Sequence, residues 1–211
     1  MKPIRVLRLA SLVLAVAPFA AQAGDAGPVY TQLGINGLGL GYAASVTPDW
    51  AVRGQVNWLP KQSYTGNVGD FGNTANLTVE VNWSSFQLVG DWYPGDGGFR
   101  FSGGVVFNDN KISVAGTGNV NGTAGTVNGE IKLSQDPAPY LGLGYSVRPR
   151  IAKGWGFNMD AGVMFQNPKA SLSATGGPTA ADVEAQRAKM QDAVDQLKVM
   201  PVIALGVSYA F

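Results

Sequence analysis

The chain has 211 residues with no Cys and no His, only 14% charged residues, and a formal net charge of +1. This composition excludes disulfides, thiol chemistry, a His general base, a Ser–His or Cys–His nucleophile and any His-ligated metal, and it offers no basic surplus for nucleic acid. Apolar residues make up 45% of the chain, too many for disorder, while the charged fraction falls well below the ~25% typical of soluble domains.

In chain order, Lys2, Arg5 and Arg8 precede an apolar run from Leu9 to Ala20, and Ala21-Gln22-Ala23 forms an A-x-A site. The pattern predicts a secretory signal peptide over residues 1–23, cleaved after Ala23. Its apolar run is shorter than the ~20 residues of a spanning helix. Removing its three cations leaves 12 basic against 14 acidic residues in the domain spanning 24–211.

Eight strands follow. Val29 to Ile35 is short and ends on Asn36-Gly37, a strong hairpin signal. In Gly37 to Val46, Leu38, Leu40, Tyr42, Ala44 and Val46 alternate with Gly39, Gly41, Ala43 and Ser45. Ala51 to Trp58 sets Val52, Val56 and Trp58 against Arg53, Gln55 and Asn57. A polar loop is predicted over about 59–76. Leu77 to Tyr93 is a longer strand whose apolar parity switches at Ser84-Ser85, which predicts a β-bulge there. Phe99 to Phe107 alternates again, and a Gly/Asn/Thr-rich loop is predicted over about 108–139, with ragged strand extensions at its ends. Tyr140 to Val147 and Trp155 to Phe165 are the sixth and seventh strands. A loop over about 167–198 carries one helix, about 180–197, opened by Thr179 and Asp182 in capping-box spacing. Its apolar stripe is Val183, Met190, Val194 and Leu197, which predicts a lid on the barrel mouth or on neighbouring loops, or a contact surface for another protein or lipopolysaccharide, or a place on the periplasmic side if the short first strand is miscounted. The closing strand, Pro201 to Phe211, alternates without a break and ends on an aromatic.

Successive strand side chains point to opposite faces. One face here is bulky and apolar; the other is Gly, Ser, Asn, Ala and Gln. A soluble barrel would carry Lys and Glu on its polar face, and none of the eight strand cores contains Lys. The small-residue face suits the crowded bore of an eight-stranded barrel, and Trp and Tyr near strand ends suit interfacial girdles. The prediction is all-β: an eight-stranded antiparallel up-and-down transmembrane barrel with one helix in the last loop. Short turns at Thr47–Asp49, Pro94–Gly98 and Pro149–Gly154 predict periplasmic termini, with the longer loops outside.

Six charges fall on the inward parity: Arg53, Glu80, Asp91, Arg100, Arg148 and Asp160. Charges in a narrow bore must pair, which predicts an ion network that fills it. A gated solute path remains a second reading. A catalytic reading lacks any nucleophile–base pair. No cofactor or metal is expected.

The strand count, the leader and the terminal Tyr209-Ala210-Phe211 resemble the small eight-stranded bacterial outer-membrane proteins, the class of the transmembrane domain of outer membrane protein A and of outer membrane protein W. Asp91-Trp92-Tyr93-Pro94 with Gly98-Phe99-Arg100, and Gly37-Leu38-Gly39-Leu40-Gly41-Tyr42, look like segments of uncharacterised members. The resemblance implies integral outer-membrane residence, contact with lipid and lipopolysaccharide, and delivery by the barrel-assembly machinery, with Tyr209 and Phe211 as the assembly signal. It implies a non-enzymatic structural or surface role, with a narrow porin-like channel as the alternative and a lipid-modifying enzyme as a third, which would have to work without His. No peptidoglycan-binding domain is expected, and the oligomeric state is left open.

Overall fold

The computed structural model describes residues 27–70, 73–120, 123–134, 137–146, 154–176 and 179–211. The predicted leader with Ala21 and Ala23, and the connection holding Arg148, lie outside the described residues. Among those described, eleven strands form: β1 (Val29–Gly34), β2 (Gly37–Ser45), β3 (Trp50–Asp70), β4 (Asn73–Trp92), β5 (Phe99–Asn108), β6 (Lys111–Val120), β7 (Thr123–Lys132), β8 (Ala138–Ser146), β9 (Gly154–Phe165), β10 (Lys169–Thr175) and β11 (Val199–Ala210). One helix, α1 (Ala180–Asp195), runs into a 3-10 turn at Gln196–Lys198.

Eight strands close a barrel. β1 through β5 pair in sequence, β5 pairs β8, β8 pairs β9, β9 pairs β11, and β11 returns to β1. Every pair is antiparallel, and closure leaves the barrel no free edge. These are the eight strands that the alternation predicts. In β11, Ile203, Leu205 and Val207 point outward at 46–56% exposure while Val202, Ser208 and Ala210 are buried. The β1–β2 turn is Ile35-Asn36, and Gly37, paired across it with Gly34, sits at φ +93°, a left-handed position just after the turn that favours glycine.

The predicted loops are not irregular. Residues 62–70 of β3 and 73–82 of β4 continue beyond the barrel, and β6, β7 and β10 add to β4 in turn. The result is a five-stranded wall standing above the end of the barrel remote from the termini. The segments near 59–76 and 108–139 are therefore largely hairpins, and 167–198 contributes a strand as well as the helix. Their Ser, Thr, Asn and Gly content reads as turn chemistry, yet Ile112, Val114, Val127 and Ile131 supply the alternating β-branched positions of a sheet.

The bulge also lies elsewhere. Pairing slips between Leu59 and Gln62, so Pro60 and Lys61 of β3 stand opposite Asn82 alone. β4 itself runs through Ser84-Ser85 without interruption. Phe86, Leu88 and Trp92 face outward in the barrel, and the same parity carries Asn82, Glu80 and Thr78 on the outer face of the wall. The opposite parity carries Trp83, Val81 and Val79, with Trp83 packed on the barrel's interior cluster. The strand keeps its facing; what changes at Ser84 is the polarity of its outer side.

Helix α1 lies against the inner face of the wall. Gln191 donates to the Pro168 carbonyl (3.0 Å) and accepts from the Ala170 amide (2.9 Å), and Val194 is buried. Its N-terminus has the predicted capping box: the Asp182 amide donates to the Thr179 hydroxyl, and the Thr179 amide donates back to the Asp182 carboxylate. The Thr179 hydroxyl, then its amide, hold the Asp182 carboxyl below the usual range. Leu197, the last member of the predicted stripe, lies in the 3-10 turn and is 43% exposed.

Candidate functional site

The bore holds four charges in one cluster. Arg53 on β3, Asp91 on β4, Arg100 on β5 and Asp160 on β9 are each at most 5% exposed. Arg53 is bidentate on Asp91, through Nε to Oδ2 and Nη2 to Oδ1 (3.1 Å). It also donates Nη1 and Nη2 to the two oxygens of Asp160, at 3.2 and 3.1 Å. Arg100 Nη2 donates to Asp160 Oδ1 at 2.6 Å, and its Nε lies 3.4 Å from Asp91 Oδ1. Each carboxylate thus touches both guanidiniums, and the formal charges cancel. Charge-assisted bidentate contacts of this kind are what make a buried arrangement tolerable. Ser102 donates to Asp91 (2.6 Å), Gln32 donates to Asp160, and the Tyr30 ring lies 5.8 Å from the Arg53 guanidinium carbon.

Strand alternation puts these groups together. Arg53, Asp91, Arg100 and Asp160 all sit on the inward parity, and small residues across from them make room. A Cβ on Gly144 would fall 2.9 Å from Arg100 Cζ, and one on Gly41 would fall 2.4 Å from the Tyr30 ring. Glycine here is a matter of volume, since large side chains fill the space it leaves.

Above the cluster the bore is filled from two sides. An amide ladder climbs one wall: Gln87 donates to Gln55 (3.1 Å), Gln55 to Asn57, and Asn57 to Ser85 (3.1 Å). The other wall contributes a dry cluster of Val89, Val106, Tyr140, Met164, Met200 and Val202, roofed by Trp83. Two cavities of about 20 Å³ each remain, one above the charges beside Gln55 and Tyr140, one below them beside Tyr30 and Arg100. Each has room for roughly one water, and the lower one is lined by Tyr30 and Arg100, whose hydroxyl and Nη1 have no protein partner among the described residues.

Of the six predicted network residues, the structure brings four together. Glu80 is not among them. Because β4 carries no bulge, Glu80 points outward, onto the exposed polar face of the wall opposite Ser113. Arg148 lies outside the described residues. Sequence alternation puts Met164 on the inward parity of its strand but does not reach Gln32, on the short first strand, or Met200, just before the predicted closing strand. The inward parity of β1, once paired to β2, is the signal that would have found Gln32.

At the termini end the exterior carries an aromatic belt. Trp50 stacks on Trp92 (6.3 Å) and Trp92 on Phe101 (5.6 Å), while Tyr209 meets Trp155 and Phe211 edge-on at 5.3 and 5.2 Å. Among the described residues no group of acids could hold a metal ion. The two buried acids are held by arginine, serine and glutamine donors.

No family model matches the chain, and no curated protein matches it in sequence. Two solved structures from Acinetobacter baumannii share the fold. CarO is 23% identical with a TM-score of 0.56, over 89% of this chain and 98% of that one. CarO2 is 18% identical with a TM-score of 0.57, over the same shares of each chain.

Proposed function

We propose that this chain is an integral outer-membrane barrel with a sealed bore, serving a non-enzymatic structural or surface-interaction role. The observation that carries this is a neutral, buried four-charge plug beneath an amide ladder and an apolar cluster, inside a barrel whose exterior is apolar. Leu33, Leu141, Trp155 and Ile203 stand outward at 56–79% exposure. Water would penalise such a surface, and hydrocarbon would accept it. Hydrocarbon in turn demands a closed sheet. On this reading the leader is removed, the termini are periplasmic, and the wall with α1 stands outside the cell. Tyr209 and Phe211 then serve the assembly machinery as the terminal signal. The place among small eight-stranded barrels is supported by fold alone.

The alternative of a narrow solute path draws on the two water-sized cavities flanking the plug. Planar-bilayer conductance separates the readings. The sealed barrel should be silent in both polarities. Reproducible single-channel steps, altered by Arg53→Ala or Arg100→Ala, would overturn it in favour of a channel. Enzymatic turnover of lipid is disfavoured by the saturation of both bore acids with hydrogen bonds.

A further inference from the structure

We infer that the outer face of the wall seats a phosphorylated glycolipid of the surrounding leaflet, its phosphates on a row of three lysines. The inference rests on the membrane reading above. Lys111, Lys132 and Lys169 are direct cross-strand partners on β6, β7 and β10. Asn82 on β4 completes the same row. All lie on the outward parity, at the base of the wall nearest the barrel. Neighbouring strands are ~4.8 Å apart, so the row spans roughly 10 Å.

Like charges directly opposite each other destabilise a sheet. Here three adjacent strands repeat the same cation, and the only carboxylate paired with the row is Glu130, 3.4 Å from Lys132, among the described residues. Among the described residues Lys111 has no ion pair, and Lys169 has only the through-space attraction of Asp195 at the end of α1. Anionic oxygen on a lipid headgroup relieves that repulsion, and lysines at a membrane surface attract such groups.

What lies below and above the row selects a glycolipid. Below, on the outward face of the barrel, come Phe107, Leu141 and Phe165, exposed by 40–58%. They offer an apolar bed for acyl chains. Above, the same face hollows into a groove of about 410 Å³ lined by Thr78, Glu80, Ser113, Asn128, Glu130 and Ser171, with other residues. Hydroxyls, an amide and carboxylates are the donors and acceptors that sugars bind. Chains, phosphates and sugars thus find matching surfaces in the order a phosphorylated glycolipid presents them. Glu80, displaced from the bore, falls on this sugar-facing groove.

The full-length barrel, folded in neutral detergent, can be titrated with lipid A, with enzymatically dephosphorylated lipid A, and with inorganic phosphate, using native mass spectrometry to count retained lipid. Lipid A should be retained over its dephosphorylated form, and inorganic phosphate should not displace it at equal concentration. At about fivefold per lysine, Lys111→Gln, Lys132→Gln and Lys169→Gln together should weaken retention on the order of a hundredfold. Lys189→Gln on α1 should leave it unchanged, and Glu130→Gln should strengthen it by freeing Lys132. Equal retention of the two lipid forms, or a triple variant that binds as the parent does, overturns the proposal. So does displacement of lipid A by free phosphate, which would make the row a simple anion site. Insertion into vesicles, scored in parallel by heat-modifiable migration and protease protection, isolates the premise. A chain that fails to insert refutes the membrane reading, whereas one that inserts without lipid preference refutes only the lysine row.

Discussion

Removing one carboxylate from the bore should unbalance the whole cluster. Asp160→Asn keeps the shape but leaves Arg53 and Arg100 with Asp91 as their sole buried counter-ion among the described residues. Asp160 accepts from Arg53 at 3.1 and 3.2 Å, from Arg100 at 2.6 Å, and from Gln32. The new amide nitrogen must face at least one of these donors. Breaking a buried pair from one side costs about 3–5 kcal/mol. With a urea slope of about 2 kcal/mol/M, the midpoint should fall by roughly 2 M. Arg100→Met alone should cost a similar amount, because it strands negative charge instead. The double variant restores neutrality, with Arg53 and Asp91 still bidentate. Its loss should be no larger than either single loss, a coupling of at least about 3 kcal/mol. Reversible urea unfolding in lipid vesicles, followed by tryptophan fluorescence, measures all four corners of the cycle. Losses that simply add, or an Asp160→Asn cost below about 1 kcal/mol, would mean that water screens the cluster. The bore would then be wet rather than sealed.

Two further outcomes follow from the packing. Gly41→Ala puts a methyl within 2.4 Å of the Tyr30 ring and 2.9 Å of the Gly54 carbonyl oxygen, so it should cost about 1–3 kcal/mol by overpacking, read as a lower urea midpoint; an unchanged midpoint would show the bore to be loosely filled. Deleting Phe211 removes one edge-on contact with Tyr209, about 0.5–1.5 kcal/mol, yet should slow assembly in cells several-fold, and normal assembly kinetics in a pulse-chase would contradict its role as the terminal signal.

The barrel was legible because eight segments obey one rule, and the rule has a single physical cause. A strand with one face outward and one in a crowded bore must alternate bulky apolar with small or polar residues. Arg53, Asp91, Arg100 and Asp160 stand out on the inward parity for the same reason. The wall was not legible. Its strands β6, β7 and β10 carry a polar outer side and a thin apolar layer under part of the inner side, so Ser, Thr, Asn and Gly outnumber the β-branched residues that mark a strand. The Asn121-Gly122 pair, set midway between Ile112-Ser113-Val114 and Gly129-Glu130-Ile131, was the available hairpin signal.

Glu80 owes its outward facing to the unbroken course of β4. A switch of apolar parity at Ser84-Ser85 implies a bulge only if the surroundings stay constant along the strand. In β4 they do not. On the membrane reading, below Ser84 the outer side meets lipid and the inner side the filled bore; above it, the outer side meets water and the inner side a small apolar layer near Val79 and Val81. An unbroken strand crossing that boundary must exchange its hydrophobic parity. The exchange therefore marks the height at which the outer medium changes. On the membrane reading, that height is the outer headgroup layer. Lys111 is paired with Asn82, two residues beyond Ser84, so the lysine row stands where lipid phosphates would lie. A depth measurement tests this directly. Nitroxide labels at Ser84 and Asn82 should straddle the steepest change in oxygen against nickel-chelate accessibility. A flat profile there would remove the boundary, and with it the reason for the parity exchange.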